Sequence, residues 1–392
     1  MTARHIGIAG AGLSGAVIAR ELADAGDFEV TVYEGRDHIA GNCHTERDER
    51  SGVMLHVYGA HVFHTSREDV WRYVNRFATF RDFTCRIRAI TDQGSFMLPI
   101  NLGTINAFFG TDLDSDGARA LLASKADASI TDPQNFEEQA LSMVGRELYE
   151  AFFRGYTLKQ WGVHPRRLPA SILKRLPVRF TANDDYFEDT FQGIPEEGYT
   201  AMVEALLDHP AITVRLGERL DPQGRDGFEH VFYSGPLDGF FDHRLGRLGY
   251  RSLRFERIDA EGDYQDGPVV NYCDDSVPWT RIFEYKHFTP WETHERTAAF
   301  RQYPEACGAD DEPFYPLRLV DDKALLNAYA ELAEATPGVT FVGRLGTYRY
   351  LDMHVAIGEA LDTAHDYLAH PTDGGSFRAF SRPPSARATE RR

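Results

Sequence analysis

The opening 34 residues constrain the fold more than any other stretch of this chain. Arg4 to Ala9 reads as a strand, Gly10-Ala11-Gly12-Leu13-Ser14-Gly15 as a glycine turn, Ala16 to Ala25 as a helix, and Phe28 to Glu34 as a second strand that ends on an acid. That is a dinucleotide-binding βαβ unit. Gly10 permits the tight turn, Gly12 lets the backbone approach a pyrophosphate, and Gly15 lets the helix sit close on the strand. The helix N-terminus then faces the phosphates, with Leu13 and Ser14 of the turn beside them. Glu34 lies 24 residues after Gly10, near where an acid accepting from a ribose hydroxyl is expected. The bland alternative is a glycine turn that packs a helix on a sheet and binds nothing.

The residues just after Glu34 select the dinucleotide. Arg36-Asp37-His38-Ile39-Ala40-Gly41-Asn42 resembles the second flavin-binding motif of FAD proteins of the glutathione-reductase type. There, an acid at the strand end is followed by an arginine and a small-residue turn that wraps the pyrophosphate again. The reading is FAD rather than NAD, with Arg36, Gly41 and Asn42 among its contacts.

A chain of 392 residues is expected to form two or three packed units. The net charge of −18 argues against nucleic acid, so an anionic substrate must meet local arginines. The four cysteines, Cys43, Cys85, Cys273 and Cys307, form no C-x-x-C pair, which predicts neither a disulfide framework nor a zinc ribbon. The first strand begins within four residues of Met1 and no apolar run approaches membrane-span length, so a cytoplasmic protein without membrane insertion is expected. Leu121 to Gln160 has apolar residues at three and four spacing and reads as a helical insertion. Arg251 to Pro290 is β-rich and suggests an antiparallel sheet. Thr340 to Arg344 reads as a short buried strand before a final helix, Met353 to Leu368, and the tail from about His370 has too little apolar content to fold.

Chemistry concentrates in a few runs. His56-Val57-Tyr58-Gly59-Ala60-His61-Val62-Phe63-His64-Thr65 holds three close histidines, but without accompanying carboxylates it does not read as a metal site. Gly155-Tyr156-Thr157-Leu158-Lys159-Gln160-Trp161-Gly162, Lys174-Arg175-Leu176-Pro177-Val178-Arg179-Phe180 and Asp185-Tyr186-Phe187 interleave aromatics with cations, which suits a base and its phosphates and equally suits a helix-end core. Pro278-Trp279-Thr280-Arg281, Glu312-Pro313-Phe314-Tyr315-Pro316 and Gly343 to His354 complete the set. Together with Gln192-Gly193-Ile194-Pro195 leading to Gly198-Tyr199-Thr200, these runs resemble, in order and spacing, the bacterial UDP-galactopyranose mutase family, over the chain to about residue 368.

The resemblance implies an α/β fold: an FAD-binding Rossmann-like domain with an inserted helical domain and an antiparallel β-sheet domain. The expected division is 1–98 for the start of the FAD-binding domain with part of the substrate sheet, 99–182 for the helical domain with a mobile lid, and 183–255 for the return to the FAD-binding domain. Residues 256–320 then form the substrate sheet, 321–370 end the FAD-binding domain, and 371–392 are a disordered tail. A homodimer is implied. So is ring contraction of a nucleotide-linked galactopyranose to the furanose without net redox change, through a covalent adduct between the sugar and N5 of reduced flavin, with NAD(P)H or another reductant keeping FAD active. Arg175 and Arg281 match cations that neutralise the departing diphosphate. Tyr186, Tyr315 and Tyr350 match tyrosines that hold phosphates, Trp161 the lid residue over the sugar, and Tyr156, Thr157 and Phe152 substrate contacts. His61 and His64 match the loop at the flavin's reactive edge, and Arg344, Asp352 and Met353 match flavin contacts.

The departures concern the base. Cys85 stands where the family has Asn or His, and Ala107 where relatives carry Gln, both at positions that touch uracil. Losing an amide removes hydrogen bonds to the base edge and leaves space. A GDP-linked sugar therefore competes with the UDP-sugar of the family, with Arg86 or Arg88 as readers of guanine O6 and N7; water filling the gap is the bland alternative. Ala40 for Gly, Phe314 for Tyr and Trp279 for Tyr remove no essential group. Two other classes share parts of the pattern, an FAD-dependent oxidoreductase of the amine-oxidase type and a non-catalytic nucleotide-sugar binder.

Overall fold

The computed structural model describes residues 3–175, 178–317, 319, 323–370 and 377–384, apart from the side chains of Lys174, Arg175 and Gln223. Strand Arg4–Ala9 lies at the centre of a five-stranded parallel sheet, in the order Ile212–Leu216, Phe28–Glu34, Arg4–Ala9, His230–Tyr233, Val339–Phe341. A central parallel strand is covered on both faces, so it must be apolar on both. Ile6 and Ile8 accordingly meet helices Leu13–Asp24, Gly198–Leu207 and Met353–Leu368, which contribute Ile18, Leu22, Met202, Val203, Ile357 and Leu361. On the other side Val231 and Phe341 pack with Phe240, Tyr329 and Tyr348.

A seven-stranded sheet forms the second unit, ordered Tyr315–Pro316, Tyr250–Glu261, Arg296–Ala306, Arg281–Glu284, Val269–Tyr272, Ile87–Thr91, Gly94–Leu98. It is antiparallel except where Val269–Tyr272 runs parallel to Ile87–Thr91. The sequence places the start of this unit at 256, yet Tyr250–Glu261 is one unbroken strand, laddered to Arg296–Ala306 from Arg251 onward. The later stretch of chain that builds this sheet therefore begins at Tyr250. One end of the sheet, Ile87–Thr91 and Gly94–Leu98, comes from residues near 90, which periodicity alone could not join to a sheet near 270.

Helices Leu102–Phe109, Ser115–Lys125, Phe136–Leu148 and Gly155–Trp161 form a third unit that packs on the seven-stranded sheet. The first three start at Asn101, Asp114 and Asn135, whose side chains accept from the N–H groups of Thr104, Gly117 and Glu138. Gly145, at φ 78°, breaks the third, and Tyr149–Arg154 forms a π-helical turn that faces Phe152 inward. Phe152 packs edge-on to Phe96 with Phe108 close by, seating the helices on the sheet.

The tail departs from expectation. Residues 371–376 and 385–392 lie outside the described residues, but 377–384 are packed and not disordered. The N–H of Phe341 donates to the carbonyl of Ala379 at 2.7 Å, the N–H of Ser381 donates back to Phe341 at 3.0 Å, and Phe380 is buried beside Phe341. Segment composition gives no sign of this, because two phenylalanines suffice when an unpaired sheet edge supplies the rest.

Replacing buried Phe380 by Ala should cost about 3 kcal/mol, read as a lowered urea midpoint. Burial holds His56, His61 and His230 neutral, lowering them to about 3, about 4 and about 4. Unfolded histidines bind protons below about 6.5 that these folded ones refuse, so stability should fall as pH drops from about 6.5 toward 5. Urea midpoints measured at several pH values across that window check this, and His230→Asn should flatten the slope.

Candidate active site

The two glycine turns meet. Gly10 takes φ 100°, and a side chain on Gly41, at φ 55°, would sit 3.2 Å from the Cα of Gly12. Gly15 lies against the carbonyl of Gly10 and has no room for a Cβ. Ala40 adopts φ 72°, a left-handed conformation that costs an alanine about 1 kcal/mol and a glycine nothing. Glu34 is buried and accepts from the backbone N–H of Ala11 at 2.9 Å and of Arg36 at 3.1 Å, so it ties the two turns together. Arg36 donates to Asn42 at 2.9 Å, pairs with Glu312 at 2.9 Å and lies over the Tyr58 ring. Helices Leu13–Asp24 and Met353–Leu368 both start without a side-chain cap, at Gly12 and Asp352, leaving N–H groups for an anion. A cradle from which side chains are excluded, with uncapped helix ends around it, fits a dinucleotide pyrophosphate.

A cavity of about 1240 Å³ opens between the parallel sheet, the seven-stranded sheet and the helices. Its sheet wall carries Cys85, Ile87 and Arg281; its helical wall Phe152, Tyr156, Thr157 and Trp161; its remaining rim Tyr186, Tyr315, Tyr350 and the His61 to His64 turn, with Arg344, Asp352 and Met353. Residues that the sequence singles out in seven separate stretches are thus brought to one space. Tyr315 and Tyr350 stack with ring centres 5.7 Å apart, and Trp161 approaches Tyr315 at 6.4 Å.

Arg281 dominates the electrostatics. It heads strand Arg281–Glu284, its Nη2 donates to the Tyr156 hydroxyl, and its Nε is buried without a hydrogen-bond partner. Among the described residues no carboxylate lies within ion-pair distance of it. Burial pulls its pKa down from the usual arginine value, and no fixed anion among them compensates. A lone desolvated cation is costly unless an anion arrives. Arg344 instead spends its donors on the carbonyls of Phe314 and Leu351 and lies over Tyr315 and Tyr350, fixing those rings.

Some expected contacts are elsewhere. Arg88 is adjacent to Ile87 on a strand, so it points to the opposite face, where it donates to the carbonyl of Gln265. Arg86 is exposed and pairs with Asp185 at 3.2 Å. Ala107 is exposed on helix Leu102–Phe109 and does not line the cavity. None of the three lines the cavity. The side chain of Arg175 lies outside the described ones. Cys85 does line the cavity, with burial pushing its thiol up to about 12, so it stays a neutral thiol.

Other residues carry roles that the motifs do not signal. Lys159 donates to the carbonyls of Tyr272, Val277 and Trp279 at 2.9 to 3.2 Å, so the cation of that run is structural. Arg179 donates to the carbonyls of Asp185 and Tyr186 and pairs with Glu188 at 2.9 Å, holding the segment that presents Tyr186. Asp189 meets His64 Nδ1 at 2.6 Å. The nearest to a metal-like group among the described residues, Asp263, Glu284 and His287, lies off the cavity, and Lys286 already pairs with Asp263. No helix among them is long and apolar enough to cross a membrane.

Comparison with known proteins agrees with this geometry. The family model described as UDP-galactopyranose mutase matches residues 151–350, and an NAD(P)-binding Rossmann-like domain model matches residues 8–77. The chain is 52% identical to a probable UDP-galactopyranose mutase of Klebsiella pneumoniae, covering 98% of this chain and 100% of that one. It is 47% identical to a dTDP-fucopyranose mutase of Escherichia coli, over 92% and 97% of the two chains. A crystal structure of reduced UDP-galactopyranose mutase shares the fold, with a TM-score of 0.74 at 16% identity over 94% of this chain and 96% of that one. The chain belongs to the UDP-galactopyranose mutase family of isomerases.

Proposed function

We propose that this enzyme interconverts the pyranose and furanose forms of a nucleoside-diphosphate-linked galactose-type sugar, with reduced FAD bound at the paired glycine turns. The observation that carries the reading is Arg281, a half-buried cation whose Nε is buried without a hydrogen-bond partner and which has no carboxylate partner among the described residues, beside a tyrosine cluster, in a protein of net charge −18. Bound and reduced, FAD supplies the nucleophile for the anomeric carbon and takes up no net electrons. The chain does the rest. Arg281 stabilises the diphosphate as it leaves, with Arg175 assigned the same task, and Tyr186, Tyr315 and Tyr350 hold phosphate oxygens through their hydroxyls. Trp161 covers the sugar and Arg344, Asp352 and Met353 bound the cofactor side. Physiological reduction by NAD(P)H, a homodimer and a cytoplasmic location belong to the same reading.

The nucleobase is its open coordinate. Kinship favours UDP, while the named relatives include both a UDP-sugar and a dTDP-sugar enzyme. Cys85 offers the base a thiol in place of an amide, beside apolar Ile87, Leu98 and Phe152, which keeps a GDP-linked sugar in contention. With Arg86 and Arg88 turned away, that case rests on space rather than on guanine-reading arginines.

Arg281→Ala should lower kcat about 100-fold or more with the bound-flavin spectrum unchanged, measured by chromatographic separation of pyranose and furanose. Near-wild-type rates would remove Arg281 from the leaving-group role. Turnover should need dithionite or NAD(P)H, and equal rates with oxidised enzyme would contradict the reading. UDP-, GDP- and dTDP-linked galactose and fucose, each tested with reduced enzyme, assign base and sugar; no furanose from any of them sinks the mutase reading for this chain.

A further inference from the structure

Ring contraction moves a proton. The pyranose ring oxygen gains one as its bond to the anomeric carbon breaks, its electron pair staying on oxygen. The hydroxyl oxygen that then bonds to that carbon loses one. A group in the cavity can carry the proton between them, and several of the titratable groups that line it are unsuited. Burial holds His61 neutral, lowering it to about 4, and its Nδ1–H donates to the carbonyl of Gly59 at 2.7 Å. Burial also lowers His354, whose Nδ1 is buried without a partner. The cavity thiols of Cys85 and Cys273 are pushed up to about 12, and Glu188 is committed to Arg179.

His64 is built differently. It sits on strand Phe63–Thr65, paired opposite Gln192 of Phe191–Pro195, and stacks on Phe187 with ring centres 3.7 Å apart and planes 12° apart. His354 meets it edge-on at 5.0 Å. Its Nδ1 lies 2.6 Å from Oδ2 of Asp189, whose Oδ1 accepts from Ser66 at 2.9 Å. Burial alone would raise the Asp189 carboxyl, but the bonds from His64 and Ser66 outweigh it and keep the group ionised. The ring is thus clamped on its face, its edge and Nδ1, while Nε2 has no protein partner among the described residues and the residue lines the cavity. A carboxylate on Nδ1 fixes that nitrogen as the N–H and leaves Nε2 to exchange protons.

We infer that Asp189 is a positioning residue that fixes His64 as the proton carrier of the isomerisation. Protonated Nε2 gives its proton to the ring oxygen on opening and recovers it from the closing hydroxyl, so nothing is consumed. Asp189 balances the imidazolium charge meanwhile, which is why a histidine lacking a carboxylate, His61, does not serve. The inference rests on the mutase reading above.

Asp189→Asn keeps an oxygen near Nδ1 but removes the charge. It should lower kcat about 100-fold with KM and the bound-flavin spectrum near wild type. His64→Gln should match it, and the double variant should be no slower than either single one. Loss confined to KM, unchanged kcat in both variants, or fully additive losses would overturn the inference. Nitrogen-15 NMR of the histidine rings, with His64 assigned from His64→Gln, gives a second readout on wild-type protein. Protonation of neutral His64 at Nδ1, relaxed in Asp189→Asn, is expected; an Nε2–H ring in the wild type overturns the dyad. If wild-type enzyme forms no furanose, the mutase reading fails, while the NMR result still decides whether Asp189 sets the ring.

Discussion

The cavity exists because one short helix is pinned to the seven-stranded sheet. Lys159, on Gly155–Trp161, reaches three carbonyls of the Tyr272 to Trp279 loop, and Arg251 of the sheet returns the grip by donating to the carbonyls of Gln160 and Lys159 at the helix end. Gly155 packs directly on the carbonyl of Cys273, where any side chain would collide. Burial lowers the pKa of Lys159, a cost that three charge-assisted bonds offset. The joint places Tyr156 beside Arg281 and Trp161 over Tyr315, so it sets the distance between the two walls across which a substrate must lie.

Around that joint the protein separates paired charge from unpaired charge. Arg257 is clamped to Asp48 and Asp259, Arg349 to Glu359, Arg36 to Glu312. These cations are satisfied before any ligand arrives. Arg281 differs in having phenols, a neutral thiol and ring faces but no carboxylate around it among the described residues, so an acidic chain offers an anionic ligand a focused positive site while its bulk field repels nonspecific polyanions.

Much of this is legible in the sequence because it is local. The Gly10 to Glu34 pattern places a strand, a turn and a helix by sterics and periodicity, and the motif runs name residues that do line one cavity. The parts that escape depend on phase or on distant pairing. Arg88 is a poor choice of base reader because strand alternation gives the cavity face to its neighbour Ile87, and composition does not register that phase. Asp189 could not be joined to His64 across 125 residues of sequence, since only the pairing of Phe63–Thr65 with Phe191–Pro195 brings them together. The run around Lys159 reads as fit for a base and its phosphates or equally for a helix-end core, and the structure turns Lys159 toward the sheet loop. The packed stretch around Phe380 is hidden because the partner that folds it is a sheet edge rather than its own sequence.

The strand order of the parallel sheet has a consequence for synthesis. Arg4–Ala9 and Phe28–Glu34 emerge from the ribosome first, but their neighbours Ile212–Leu216 and His230–Tyr233 arrive after the whole helical unit, and Val339–Phe341 later still. At roughly 5 to 20 residues per second, the two opening strands wait on the order of ten seconds or more for a flank. Until then they are an apolar hairpin-less pair with open edges, which is where a nascent-chain chaperone would be needed most. Phe380 closes the final edge, so the cofactor-binding domain is sealed only after its last strand, Val339–Phe341, has been followed by a further stretch of chain.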